Sequence, residues 1–212
     1  MTKLALFDVD FTITSKETLM QLYSYSIKEK KSNIKYLPRA LFGGLLYVLN
    51  IYDERKVKES FLKFIDGMDK EKLDEFVSRF YQNRLKNILY KDGIDMIKKL
   101  KNEGCEVILI SASPEFYLNK LYDIPEVDKI IGTRFEFSDG KFMRKMLGKN
   151  CKGEEKVVRL NEYIKEKGYD VDYQNSYMFS DSLSDKPLLD LVGNAYLINY
   201  KKNSKFNILN WK

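Results

Sequence analysis

LALFDVDFTIT, Leu4–Thr14, decides the fold. Its first four residues are apolar in an unbroken run, too short for a helix, and read as a strand buried on both faces, as in parallel sheets. The run ends at Asp8. Two carboxylates, Asp8 and Asp10, together with Thr12, therefore stand at the strand's carboxyl edge, where open α/β sheets bind ligands. Three more runs have the same character: Val107–Ile110, Tyr177–Phe179 and Ala195–Ile198. Helical spacing fills the intervals, with Ile94, Ile97 and Leu100 in Gly93–Asn102 and Val157, Leu160 and Ile164 in Glu154–Lys167. Strands alternating with helices predict an α/β fold, a doubly wound, Rossmann-like parallel sheet.

One stretch breaks the alternation. Between about Ser15 and Asn87 the pattern is helical throughout, with Leu73, Phe76, Val77 and Phe80 on one amphipathic helix and Val57, Phe61, Phe64 and Ile65 on another. The expected organisation is a discontinuous α/β core, residues 1–14 and 89–212, with an inserted helical-bundle cap at residues 15–88. Further along, RFEF and KFMRKM flank Ser138-Asp139-Gly140, a hairpin-turn signature. The most apolar segment, Tyr36–Tyr52, is shorter than the roughly 20 residues of a membrane span and is interrupted by Pro38, Arg39 and Gly43-Gly44. It reads as a buried cap helix, with an interfacial or substrate-facing surface as the alternative.

At 212 residues the chain can bury one good core with a small insertion beside it. Histidine is absent, which excludes histidine nucleophiles, His-dependent dyads and imidazole zinc sites. Cys105 and Cys151 form no CxxC pair, and neither is followed six positions later by arginine, so both read as inert thiols in a reducing compartment. The start, MTKLALFDVD, lacks the apolar run of a secretory signal, and a cytoplasmic location is the expectation. The net charge of +6 comes from lysines scattered among glutamates. It reads as a solvated surface, and without a basic stripe of interleaved aromatics no nucleic-acid partner is expected.

The chemistry lies after the strands. A carboxylate is ionised near neutral pH without an activating base, so Asp8 can attack phosphorus directly, with Asp10 as the nearest group to protonate the leaving oxygen. Ser111-Ala112-Ser113-Pro114 follows the second strand, and its hydroxyl and small residues let backbone N–H groups approach a phosphoryl oxygen. The same residues also suit a helix N-cap. Lys156 opens a helix on its core-facing side and can neutralise carboxylate and phosphate together, with Lys152 as a rival. Asp181 and Asp185, in FSDSLSDKPLL, can converge on a cation, for which hard oxygen ligands and a phosphate favour Mg²⁺. Helix-capping acids are the alternative for that pair.

In order and spacing, DVDFT, SAS, Lys156 and SDSLSD resemble the four motifs of the haloacid dehalogenase-like hydrolases. The helical insertion is similar to the cap of the phosphoserine phosphatase-like branch. The resemblance implies a Mg²⁺-dependent phosphatase working through an aspartyl phosphate. Asp8 would be nucleophile, Asp10 general acid/base and Lys156 charge clamp, with Thr12, Ser111 and Ala112 around the phosphate. The metal set would be Asp8, Asp10 (through its carbonyl), Asp181 and Asp185. Glu17 stands where the branch places a glutamate for a substrate amine, although it also suits a helix start. A small phosphomonoester is the expected substrate. CKGEEKVVRL, SDSLSDKPLL and the basic-flanked segment Leu37–Leu49 also resemble phosphatidylglycerophosphate phosphatases, which implies a phospholipid headgroup and peripheral membrane contact through the cap as the alternative. A phosphate-binding module without turnover is a third expectation, and oligomeric state is open. Phe11 departs from the family, many members of which carry glycine there.

Overall fold

The computed structural model describes residues 1–49 and 51–212. Among them, strands β1 (Leu4–Phe7), β2 (Glu106–Pro114), β3 (Lys129–Ser138), β4 (Lys141–Leu147), β5 (Tyr177–Ser180), β6 (Asn194–Ile198) and β7 (Asn207–Leu209) form one sheet in the order β4-β3-β2-β1-β5-β6-β7. Every neighbouring pair is parallel except the β3–β4 hairpin. Its turn is the one expected: Asp139 and Gly140 have φ of 50° and 72°, the left-handed pair that matches strand twist. The helices are α1 (Thr18–Glu29), α2 (Leu37–Val48), α3 (Glu54–Phe61), α4 (Lys70–Phe80), α5 (Lys91–Asn102), α6 (Glu115–Leu118), α7 (Glu154–Lys167) and α8 (Lys186–Leu189).

β1 is buried throughout, with β2 on one side and β5 on the other. The chain moves outward from β1 in both directions, which makes its carboxyl end the switch point of the sheet. Alternation along the strand feeds two layers. Ala5 and Phe7 face a cluster with Leu109 and Phe179, whereas Leu4 and Leu6 face one with Ile108, Leu160 and Met178.

The helical insertion α1–α4 packs into the first of these layers: Leu22, Leu62 and Phe80 belong to the same apolar cluster as Phe7. Its two ends lie side by side. Thr14 pairs with Leu89, Ser15 N donates to Ile88 O at 2.7 Å, and Tyr90 N donates to Ile13 O at 2.8 Å.

The apolar segment takes the alternative reading, and the sheet gains a strand not read from sequence. α2 is not a buried helix: Leu41, Phe42, Leu45 and Leu49 are 65%, 59%, 53% and 57% exposed. Gly43 is buried and faces Ser60 of α3, so α2 leans on α3 at this point. Asn50, within the apolar segment, lies outside the described residues. No helix among the described residues is long and apolar enough to cross a membrane. Secondly, β7 extends the sheet and brings Trp211 against Gly93, where a Cβ would stand 3.2 Å from the indole.

Candidate active site

Beyond Phe7 the chain turns sharply, because Val9 O accepts from the amides of Thr12, Ile13 and Thr14 at 3.2, 2.9 and 2.9 Å. The turn requires a left-handed residue, and Phe11 takes it at φ 57°, a conformation that costs a non-glycine residue about 1–2 kcal/mol. It carries Asp8 and Asp10 to the same end of the sheet. Asp8 N donates to Phe179 O at 2.9 Å, so β5 fixes the backbone of Asp8.

Lys156 lies in the first turn of α7, buried, with Nζ 2.7 Å from Asp8 Oδ1 and 2.7 Å from Asp185 Oδ2. Burial opposes its charge, but Asp8 and Asp185 outweigh that and hold it above the ordinary lysine value. Lys152, the rival, pairs instead with Glu54 of α3 at 2.6 Å. Ser180 Oγ donates to Asp185 Oδ2 at 2.9 Å, while Asp185 Oδ1 is buried with no hydrogen-bond partner. Asp8 is pushed up to about 7 by burial, moderated by Lys156 and reinforced by Asp185 and Asp10. Asp181 is pushed up to about 6 by burial and by Asp185. Two buried carboxylates thus share one buried ammonium, with Asp10 and Asp181 adding to the negative charge nearby, a balance that a divalent cation would satisfy.

The carboxylates of the expected metal set are engaged in different ways. Among the described residues no three acidic or thiol side chains gather closely enough to hold an ion unaided. The carboxylate of Asp10 is committed elsewhere: Thr18 N donates to Oδ1 and Ser113 Oγ to Oδ2, both at 2.6 Å. Only its carbonyl is left for a metal. Asp185 is taken by Lys156 and Ser180 on one oxygen. Oxygens of Asp8 and Asp181, the Asp10 carbonyl and the unpartnered Asp185 Oδ1 remain, hard donors of the kind Mg²⁺ takes.

Ser111 is buried, and its Oγ accepts from Ser113 N at 3.1 Å. Ser113 belongs to the site rather than to a helix cap, since its hydroxyl reaches Asp10. Thr12 is buried and its hydroxyl has no partner, so that group is free to meet a ligand. The Ala112 carbonyl accepts from Thr133 Oγ1 at 2.6 Å and from Lys58 Nζ.

Asp10 also borders a cavity of about 310 Å³ whose other walls include Glu17, Lys58, Ser113 and Asn150. A larger hollow of about 780 Å³ between α4 and the β3–β4 hairpin shares no lining residue with it. Glu17 is both things the sequence allowed. It caps α1, accepting from Met20 N at 2.5 Å, and it faces the cavity, pushed up to about 7 by burial and by Asp10. Lys58, on α3, crosses to the sheet side and also donates to Asn150 Oδ1 at 2.6 Å; burial lowers it to about 8. Lys58 and Asn150 were not singled out from sequence, because nothing local separates this lysine from its neighbours.

Residues 5–190 match the haloacid dehalogenase-like hydrolase family. The chain belongs to it. Histidinol-phosphatase of Neisseria meningitidis serogroup C is 27% identical over 94% of this chain and 91% of its own length. Phosphoserine phosphatase of Methanocaldococcus jannaschii is 26% identical over 74% and 71%. A Bordetella pertussis Tohama I protein described as of unknown function superposes with a TM-score of 0.79 at 22% identity, covering 95% of this chain and 92% of that one. As a member of that family with phosphatases among its relatives, the chain is a phosphoric monoester hydrolase.

Proposed function

We propose that this phosphatase hydrolyses a small, charged phosphomonoester through a phosphorylated Asp8. The reading is carried by the Asp8–Lys156–Asp185 bridge, which stands beside Asp10 and the cavity walled by Glu17 and Lys58. Lys156 holds Asp8 by one oxygen and fixes its direction. A carboxylate oxygen of Asp8 bonds to phosphorus as the ester oxygen leaves, and Asp10 delivers the proton that oxygen takes up. Water then attacks the aspartyl phosphate, gives its proton back to Asp10, and releases inorganic phosphate and Asp8. Ser113 and Thr18 keep Asp10 in place for both transfers. Thr12 and Ser111, beside the nucleophile, are the donors for phosphoryl oxygens. Asp8, Asp181 and the Asp10 carbonyl would hold Mg²⁺, which would neutralise the carboxylates and polarise the phosphate.

The cavity holds a potential anion on Glu17 and a cation on Lys58, which together suit a substrate body bearing an ammonium and a carboxylate. Its volume of about 310 Å³ is at the low end for ligand sites. The helical insertion α1–α4 acts as the cap, since α1 and α3 supply these two residues. The test is turnover of a panel of amino-acid, amino-alcohol and sugar phosphomonoesters with Mg²⁺ and with chelator. We expect a zwitterionic ester to lead and the chelator to abolish activity. Asp8→Asn should reduce kcat by about three orders of magnitude or more while leaving the circular dichroism spectrum intact. Unchanged turnover in that variant would sink the mechanism. A phospholipid-headgroup ester is the second reading, favoured by the exposed apolar face of α2, and presenting the same panel with lipid substrates in vesicles separates the two.

A further inference from the structure

We propose that the outer face of α2 is a docking surface for a bilayer rich in anionic phospholipid. Leu41, Leu45 and Leu49 recur every four residues, and Phe42 lies beside them, all more than half exposed and opposite the edge at Gly43 that packs on α3. Ile34 and Ile51, before and after the helix, are 57% and 60% exposed. An apolar face of this extent on a protein surface marks an interaction site.

Charge identifies the occupant. From Lys30 to Tyr52 the chain carries Lys30, Lys31, Lys35 and Arg39 and no acidic residue. All four cations are exposed and precede or open the helix. Apolar side chains on one face with cations at its margin are the features of a helix lying in a bilayer interface, where anionic headgroups meet the cations and acyl chains receive the leucines. At 12 residues, α2 is about 18 Å long, too short to span. A second copy of this chain is the competing occupant, but it would set four cations against four.

Position links the surface to the reaction without depending on which ester is cleaved. α2 rests on α3 at Ser60, and α3 also carries Lys58 of the cavity wall, so the docking surface and the cavity share one supporting helix.

The full chain is to be sedimented with phosphatidylcholine vesicles prepared with and without phosphatidylglycerol, at low and high ionic strength, with turnover of a soluble phosphomonoester measured in parallel. We expect binding to the phosphatidylglycerol vesicles, weakened by salt. Lys35→Gln and Arg39→Gln should each weaken it about fivefold. The double variant Leu41→Ser, Leu45→Ser should weaken it at least about tenfold with soluble turnover unchanged. Absence of vesicle binding, or equal binding to phosphatidylcholine alone, overturns the proposal. So does a dimer by light scattering that the double leucine variant dissociates, which would assign the face to a second copy. Unchanged turnover in Asp8→Asn, with vesicle binding intact, would count against the catalytic reading and not this one.

Discussion

Lys58 shows how a single side chain can serve the site at the expense of the fold. Its ammonium sits among the Ala112 carbonyl, Asn150 Oδ1, Glu17, Glu54 and Asp10, and burial still lowers it from the ordinary lysine value to about 8. A folded state that binds the proton less readily than the unfolded chain is penalised in full below about pH 8, and the penalty fades toward the unfolded value of 10.5. Lys58→Met should therefore raise stability at pH 7 by about 1–3 kcal/mol, an advantage that shrinks as pH climbs from about 8 to above 10. Thr133 Oγ1 lies within reach of both Ala112 O and Asn150 Oδ1, at 2.6 and 2.9 Å, and its single hydrogen keeps one of the two acceptors paired after the change. The same variant should raise KM for a carboxylate-bearing ester about tenfold or more, by loss of a charge-assisted contact. Denaturant melts across pH and steady-state kinetics check the two halves separately. An unchanged KM would remove Lys58 from the substrate pocket.

At the level of elements, the sheet edge was legible because three central strands announce themselves by composition and each leads into its chemistry: Phe7 into Asp8, Ile110 into Ser111, Phe179 into Asp181. What was not legible depends on approach between distant segments. Gly132, in β3, passes so close to the Ser113 segment that a Cβ would lie 2.8 Å from Ser113 O and 3.0 Å from Glu115 N, both backbone atoms. Nothing in the residues around Gly132 reveals this, just as nothing around Lys58 reveals its reach. The commitment of the Asp10 carboxylate to Thr18 and Ser113 is hidden for the same reason. The exposure of α2 stayed an alternative for another reason: apolar composition signals burial or an interface equally, and only packing decides. Gly132→Ala should force β3 and the Ser113 loop apart, at a cost of about 1–3 kcal/mol, and lower kcat about tenfold or more by unseating Ser113 from Asp10. Gly44→Ala, in α2 with open space around it, should instead be neutral or stabilise by up to about 1 kcal/mol. Thermal melts with parallel turnover assays distinguish the pair, and similar behaviour of the two would discredit the close approach at Gly132.

Over the whole molecule, the insertion and one face of the sheet share a single apolar cluster that runs from Leu73 and Phe80 through Phe7 to Phe179 and Trp211. The single tryptophan of the chain sits at the far end of that cluster, its ring 5.5 Å from that of Phe179 and its backbone held by Asn199 through bonds of 3.0 and 3.2 Å. Shared burial of this kind makes the insertion and the core unfold together rather than in turn. Tryptophan fluorescence and far-ultraviolet circular dichroism should accordingly report coincident thermal transitions, the second dominated by helices of which half lie in the insertion. An ion binding only where Asp8 and Asp181 are brought together stabilises the native state by mass action, about 2.7 kcal/mol at a concentration of one hundred times Kd. Mg²⁺ should move both transitions upward by the same amount, and Asp181→Ala should remove that shift while leaving the two probes coincident. Separation of the probes would show that the cluster does not couple the insertion to the sheet, and a Mg²⁺ shift that survives in Asp181→Ala would place the ion elsewhere.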